Sequence, residues 1–388
     1  MPAGDTNAPH QFSCIKLNPF FIFGFIPFAL NQHELYMHRC LQLAALAGGD
    51  VAPNPVVGSV LVHNNRIIGE GYHMQYGKAH AEVNCMASVK EADLSLIPQS
   101  TLYVSLEPCA HFGKTPPCAD LIIENGIRKV VVGCRDPFIE VNGKGIEKLK
   151  AAGIEVELGV LEKECKELNK RFFLFHTEHR PYVTLKWAQT ADGKIAAEDY
   201  GRVLISNAYT NRLVHKWRSE EAAIAVGTNT ALFDDPELST RNWPGKNPVR
   251  VVVDMHLRLP SSLKLFNGDI PTVVFNLHKH TLPFENFNAQ DLQVKGVGYY
   301  QVTEDVSFVD QMLNGLYRIG IQSLLVEGGT LLLQSFIDAG VWDETKIICN
   351  EGLEIGSGLP APVLKRASLQ KKETVFGDNI RYYKPLPD

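Results

Sequence analysis

Three soft metal donors stand in fixed order in the first third of the chain: His80 within His80-Ala81-Glu82, Cys109 directly after Pro108, and Cys118 beyond the loop AHFGKTPP. No other feature restricts the fold so tightly. An imidazole and two thiolates are good zinc ligands, and three protein ligands leave the fourth position open for water, which is the catalytic arrangement. His80 and Cys118 both fall at expected helix starts, where free amides and the helix dipole favour a thiolate and set its direction. Residues two apart on an ideal helix point roughly 200° from each other, so His80 and Glu82 serve one site only if the histidine occupies the very start of its helix. Zinc in such a site lowers the pKa of a water to about 7. A base must still collect that proton and deliver it, and Glu82 is the residue placed for this.

Composition bounds the rest. A length of 388 residues exceeds what one hydrophobic core serves, so two domains are expected. With 45% hydrophobic and 21% charged residues the chain reads as globular, and a net charge of −5 provides no broad basic field for nucleic acid. Eight cysteines scattered over this length are not a disulfide framework and suggest a reducing, cytoplasmic setting. The apolar run Phe20 to Leu30 is too short to span a bilayer. It also lacks the cationic start and small-residue cleavage site of a signal peptide, so residues 1–30 are read as an extension outside the fold and no membrane partner is expected.

Folded sequence is expected from Asn31, with Tyr36, Cys40, Leu43, Ala44 and Ala47 at helical spacing before Gly48-Gly49. VVGSVLV and RIIGEGY, joined through Asn64-Asn65, read as a hairpin. HAEVNCMASVKEA, CADLIIENG, GKGIEKLKAAG and LEKECKELNKRFF read as helices, and TLYVSLEP, KVVVGC and EVELGV as strands. The period is lost near residues 176–181, which sets a first domain at 31–178 and a second at 179–388. There the runs YVTLKWA, AAIAVGT, VRVVVD, PTVVFN, SLLVEGG and TKIICN are buried strands, with helices between several of them. Both halves are α/β.

Either cysteine alone would be an ordinary buried or loop cysteine. Taken in order, H-x-E followed by P-C and a further cysteine is the signature of the zinc-dependent nucleobase deaminases. LEPCAHFGKTPPCADLI, with APNPVVGSVLV and GYHMQYGKAHAEV, closely resembles the deaminase half of the bifunctional riboflavin-biosynthesis deaminase–reductases, a family with a long loop between its cysteines. The resemblance implies a cytidine-deaminase-like domain with zinc on His80, Cys109 and Cys118, Glu82 as proton shuttle, and a free pyrimidine ribosyl phosphate as substrate. His111 and Lys114 are then available to its phosphate.

The second half carries no G-x-G-x-x-G after any expected strand, so the common dinucleotide fingerprint is absent. VEGGTLLLQSFIDAG (326–340) sets a buried strand, two glycines and a helix in series, which suits a phosphate, although glycine at such a turn also serves packing. YVTLKWAQTADGKIA, WRSEEAAIAVGTNTALFDDPELSTR and VEGGT resemble successive motifs of the reductase half of the same family. This implies a dihydrofolate-reductase-like domain that binds NADPH through Ala188, Leu204, Thr230, Asp234 and the turn at Gly329. Substrate would be held by Arg202, Arg218, Leu238, Arg241 and Glu327. At GRVLIS the chain departs from the family pattern at Arg202 and Leu204. Hydrolytic deamination of the ring is followed, on this reading, by hydride reduction of ribose to ribitol, with Asp234 and Glu327 as the available acids. Three other readings use less of the chain: a zinc deaminase alone, a reductase with a structural zinc domain, and a zinc-stapled binding module.

Overall fold

The computed structural model describes residues 31–112, 116–199, 201, 203–282 and 296–387. The extension read over residues 1–30 lies outside the described residues, as do Lys114 and Arg202. Asn31 caps helix α1 (Gln32–Ala44). Its side-chain oxygen accepts from the Glu34 N–H at 3.0 Å, and the Glu34 carboxylate accepts from the Asn31 N–H at 2.9 Å, a reciprocal box that satisfies two otherwise orphaned donors. The hairpin appears as read, β1 (Gly58–His63) turning into β2 (Arg66–Tyr72). Asn64 and Asn65 both take positive φ, 45° and 63°, as a tight two-residue turn requires.

Helix α2 (Ala81–Ala87) is shorter than its apolar pattern suggests, and the chain resumes as a 3-10 segment over Glu91–Gln99. Ser88 ends it: the hydroxyl donates to Cys85 O at 2.7 Å and accepts from Glu70 N–H at 2.8 Å, exchanging helix bonds for a tie to β2. Then follow β3 (Thr101–Leu106), α3 (Cys118–Glu124), β4 (Lys129–Cys134), α4 (Lys144–Ala151) and β5 (Glu155–Leu158). The five strands form one sheet in the order β2-β1-β3-β4-β5, with β1 antiparallel to both neighbours and β3, β4 and β5 parallel.

The single helix read over LEKECKELNKRFF is two, α5 (Glu162–Leu168) and α6 (Lys170–Glu178), broken at Asn169. The cause is a distant contact. The buried Asn169 amide accepts from Val56 N–H at 2.8 Å and donates to Val56 O at 2.9 Å, clasping the loop ahead of β1. Helix α6 then leads into β6 (Tyr182–Thr190), β7 (Lys194–Ala197), α7 (Ala208–Glu220), β8 (Ala223–Val226), α8 (Thr228–Asp234), β9 (Val249–Val253), β10 (Thr272–Asn276) and β11 (Val297–Gln301). The chain ends through α9 (Phe308–Arg318), β12 (Ser323–Glu327), α10 (Thr330–Ala339), β13 (Glu344–Asn350), β14 (Gly358–Pro360), β15 (Ala367–Val375) and β16 (Asp378–Pro385).

Nine of these strands make the second sheet, in the order β11-β10-β9-β8-β12-β6-β13-β16-β15. It is parallel from β11 to β13, and the C-terminal hairpin adds antiparallel strands at one edge. Its central strand β12 is buried at every position from Ser323 to Glu327, as expected of a sheet covered on both faces. The two halves join through buried ions. The Arg171 guanidinium of α6 forks onto Glu221, with Nε 2.8 Å from Oε2, and Lys170 reaches Glu344 at 3.0 Å.

Removing the Asn169 clasp should leave the Val56 N–H unpaired, at a cost of about 1–3 kcal/mol. Asn169→Ala is therefore expected to lower the melting temperature of the protein, read by calorimetry.

Candidate active sites

Both clefts open at the carboxyl ends of parallel strands, where ligands collect in open α/β sheets. In the first, His80 takes the cap position of α2 with extended φ/ψ of −71° and 169°. It therefore stands ahead of the first turn and escapes the 200° divergence, while Glu82 occupies that turn. Cys109 leaves the end of β3, and Cys118 is the first residue of α3. His80 Nδ1 lies 3.6 Å from Cys109 Sγ and 3.3 Å from Cys118 Sγ, and the three donor atoms lie within 4.8 Å of one another. The Cys118 N–H donates to Cys109 Sγ at 3.3 Å, and Ala119 N–H to Cys109 O at 3.1 Å.

The donor set fits zinc. One nitrogen and two sulfurs converge, both cysteines are free thiols, and an amide already supports the sulfur of Cys109. The hydrogen bond shared with Cys118 pulls the Cys109 thiol down to about 4 against the effect of burial, and the same bond with burial pushes Cys118 up. One thiolate is thus prepared in advance. Glu82 is buried, and burial raises its carboxyl, with the positive character of His80 opposing. A carboxyl raised in this way suits proton transfer near neutrality.

Supporting contacts hold these ligands. His73 Nδ1 lies 3.0 Å from Ala79 O and its Nε2 3.1 Å from Asn54 Nδ2, and its ring stands edge-on to His80 at 5.3 Å. Beyond β3, the buried Glu107 carboxylate accepts from the backbone N–H groups of Asp136, Gly143, Gly145 and Ile146 at 3.0–3.3 Å. This ties the start of α4 to the strand that delivers Cys109. Gly145 has to be glycine, because a Cβ there would fall 1.9 Å from Pro108 O.

The cleft beside these ligands encloses about 360 Å³. His111 lines it, and its Nδ1 is buried without a protein partner among the described residues. Asp136, Phe138, Phe172, His176 and Gln322 also line it and escape the sequence reading. Burial raises the Asp136 carboxyl to about 7 and lowers His176 to about 4, so the histidine is neutral at physiological pH. Asp136 carries a legible signal, since it follows β4 as Cys109 follows β3. His176 and Gln322 carry none, being brought in by the second half of the chain and the helix that leads to it.

The second cleft is larger, about 1090 Å³, and it gathers Ala188, Leu204, Thr230, Asp234, Gly329, Arg218, Leu238, Arg241 and Glu327 on one surface. Two of these residues are mutual partners. Arg218 Nε donates to Glu327 Oε1 at 2.9 Å and Nη2 to Oε2 at 2.7 Å, while Nη1 donates to Ser239 O at 3.2 Å. Lys186, absent from the sequence reading as a site residue, brings Nζ to 3.7 Å from Glu327 Oε2. Burial alone would raise the Glu327 carboxyl, but Arg218 and Lys186 outweigh it and hold it near 2. Glu327 is therefore ionised at neutral pH and is not a proton donor there. Burial lowers the Lys186 ammonium against the pull of Glu327.

Arg241 is less committed, its side chain 48% exposed and 3.6 Å from Glu237. His215 is buried beside both arginines. Burial, then Arg218 and Arg241, lower it to about 4, and its Nδ1 is without a partner among the described residues. Opposite, Gly328 and Gly329 take φ of 84° and 80° between β12 and α10. A Cβ on Gly328 would stand 3.0 Å from Thr230 Cγ2. No side chain among the described residues caps α10, so its first amides face a bare glycine turn suited to a phosphate of a dinucleotide.

Comparison with known proteins bears on both halves of the chain. Residues 30–134 match the cytidine and deoxycytidylate deaminase zinc-binding region, and residues 181–353 match the RibD C-terminal domain. The chain is 43% identical over 359 residues to riboflavin biosynthesis protein RibD of Aquifex aeolicus, covering 90% of this chain and 97% of that one. Against RibD of Bacillus amyloliquefaciens it is 39% identical, covering 81% and 83%. The crystal structure of a diaminohydroxyphosphoribosylaminopyrimidine deaminase/5-amino-6-(5-phosphoribosylamino)uracil reductase from Thermotoga maritima superposes with a TM-score of 0.79 at 35% identity, covering 91% of this chain and 99% of that one. Acinetobacter baumannii RibD superposes with 0.78 at 30% identity, covering 92% and 99%. A His/Cys/Cys cluster that could hold a metal, a cleft with a glycine turn and end-to-end similarity lead to one conclusion: the chain belongs to the RibD family, the bifunctional deaminase–reductases of riboflavin biosynthesis.

Proposed function

We propose that the two clefts act in succession on one pyrimidine ribosyl phosphate. The first hydrolytically deaminates 2,5-diamino-6-ribosylamino-4(3H)-pyrimidinone 5′-phosphate. The second reduces its ribosyl chain to ribityl with NADPH, leaving 5-amino-6-ribitylamino-uracil phosphate. The observation that carries this reading is the buried Glu82 carboxyl on the first turn of the helix that His80 caps, beside a cleft of substrate size.

We read residues 31–178 as the deaminase domain and 179–388 as the reductase domain, with the extension at 1–30 apart from both. A cytoplasmic setting is supported by the free thiols of the described cysteines. No helix among the described residues is long and apolar enough to cross a membrane.

In the deaminase cleft His80, Cys109 and Cys118 would hold zinc, which supplies Lewis acidity toward a water. Glu82 takes the proton of the attacking water on its carboxylate and returns it to the departing amine, so the carbon loses ammonia and gains oxygen. His111 and Lys114 are assigned to the phosphate. In the reductase cleft NADPH, held by Ala188, Leu204, Thr230, Asp234 and Gly329, supplies hydride to C1′. Arg202, Arg218, Leu238, Arg241 and Glu327 are assigned to the substrate. Among the described residues of that set the division of labour is electrostatic: Arg218 neutralises Glu327, which leaves Arg241 as the cation with donors to spare for the phosphate.

Glu82→Gln should suppress ammonia release by about 10²–10⁴-fold while retaining zinc by metal analysis, and should leave NADPH oxidation on already deaminated substrate intact. Loss of the metal in this variant would contradict the shuttle role. Arg241→Ala should raise the reductase KM roughly tenfold to a hundredfold, the worth of one charge-assisted contact, with deamination unchanged in the ammonia assay. Arg218→Ala leaves Glu327 with only the longer Lys186 contact and should cost up to about 3–5 kcal/mol, read as a lowered melting temperature. Because Glu327 titrates near 2 folded and about 4.3 unfolded, its contribution is complete above the unfolded value and is lost as pH falls toward 2. Melting temperatures of wild type and Glu327→Gln should therefore converge over that acid range.

A further inference from the structure

One wall of the deaminase cleft comes from the other half of the chain. Gln322 immediately precedes β12 and is buried, and its backbone O accepts from Tyr182 N–H at 2.9 Å, so the residue is anchored in the second sheet. Its side chain turns away from that sheet. Nε2 donates to Pro53 O at 2.7 Å, on the loop that precedes β1, and both residues line the deaminase cleft.

From Pro53 the contacts continue to the metal site. Asn54 Nδ2 lies 3.1 Å from His73 Nε2, and His73 Nδ1 lies 3.0 Å from Ala79 O. The second contact needs a proton on Nδ1, which leaves Nε2 to accept from the Asn54 amide, and the two bonds fix one neutral tautomer. The His73 ring in turn abuts His80. A residue of the second sheet thus sets the first link of a chain that ends on a zinc ligand. Gln322 stands just ahead of β12 and Glu327 ends it, about 16 Å apart at ~3.3 Å per residue, one at each cleft.

We propose that Gln322 is a positioning residue for deamination: through Pro53 it holds the loop that forms one side of the pyrimidine pocket, so the deaminase site is complete only with the second half of the chain docked. This rests on the deaminase reading of the first cleft. An ordinary interface contact would add stability without affecting substrate, whereas a bond that shapes the pocket wall affects the Michaelis constant.

The test uses the full-length, zinc-loaded enzyme with Gln322→Ala, which removes the side chain, and Gln322→Glu, which keeps its shape but replaces the N–H donor with an acceptor that opposes Pro53 O. Both variants should raise the deaminase KM roughly three- to tenfold, the loss of one buried hydrogen bond, with kcat within about twofold. Zinc content and NADPH oxidation on deaminated substrate should match wild type. Hydrogen–deuterium exchange should quicken in the peptide covering residues 50–57. A wild-type KM in either variant overturns the proposal, as does unchanged exchange in that peptide, or a parallel loss of zinc or of reduction. Absence of ammonia release from the wild-type enzyme would instead refute the deaminase reading itself.

Discussion

Three segment ends have to meet within an ion's width: the cap of α2, the exit of β3 and the first residue of α3. Much of the first half is arranged to make that meeting permanent. His80 and Cys118 stand at helix starts, where the helix sets the backbone direction, and Cys109 follows β3 by three residues. Glu107 then fastens the β3 exit to the start of α4 with three backbone bonds and to the segment after β4 with a fourth, and Gly145 provides the space that Pro108 O occupies. Preorganisation of this kind keeps ligand geometry from being left to loop motion. The amide of Cys118 on the sulfur of Cys109 does for charge what the elements do for position.

The two clefts solve opposite electrostatic problems. On the proposed deaminase reading the first cleft calls for a carboxyl able to change its protonation near neutrality, and burial of Glu82 with only partial compensation from His80 moves it upward. The second cleft holds a fixed anion among cations. There Glu327, equally enclosed, has both Arg218 and Lys186 on it and stays ionised. The same residue type under the same desolvation takes two roles, decided by how much positive charge is within reach.

Periodicity made most of the architecture legible. The start of folded sequence at Asn31, the Asn64-Asn65 turn, the buried strands read in both halves and the helix starts at His80 and Cys118 all follow from local pattern, because each depends on neighbours within a few residues. The failures share a different cause. Asn169 breaks an apparently continuous helix for the backbone of Val56, and Ser88 ends α2 for the sake of β2. Strands β7, β11, β14, β15 and β16 have no place in the sequence reading. β15, with the exposed run Leu369 to Lys372, has the mixed polarity of an edge, and it is held by pairing with β16 rather than by an apolar run of its own.

The sequence by itself determined the metal chemistry, since ligand type and order are properties of residues and the four-part motif tolerates few alternatives. It determined the α/β class of both halves for a similar reason, hydrophobic period being written locally. Only the tertiary structure decided how the charged residues of the second cleft are shared: Arg218 and Glu327, read separately as substrate contacts, are a buried pair with Lys186 beside them. It also decided that Gln322 and His176 belong to a cleft whose ligands lie far away in the chain. Pairing and enclosure depend on distance through space, which linear spacing does not encode once two sheets have packed.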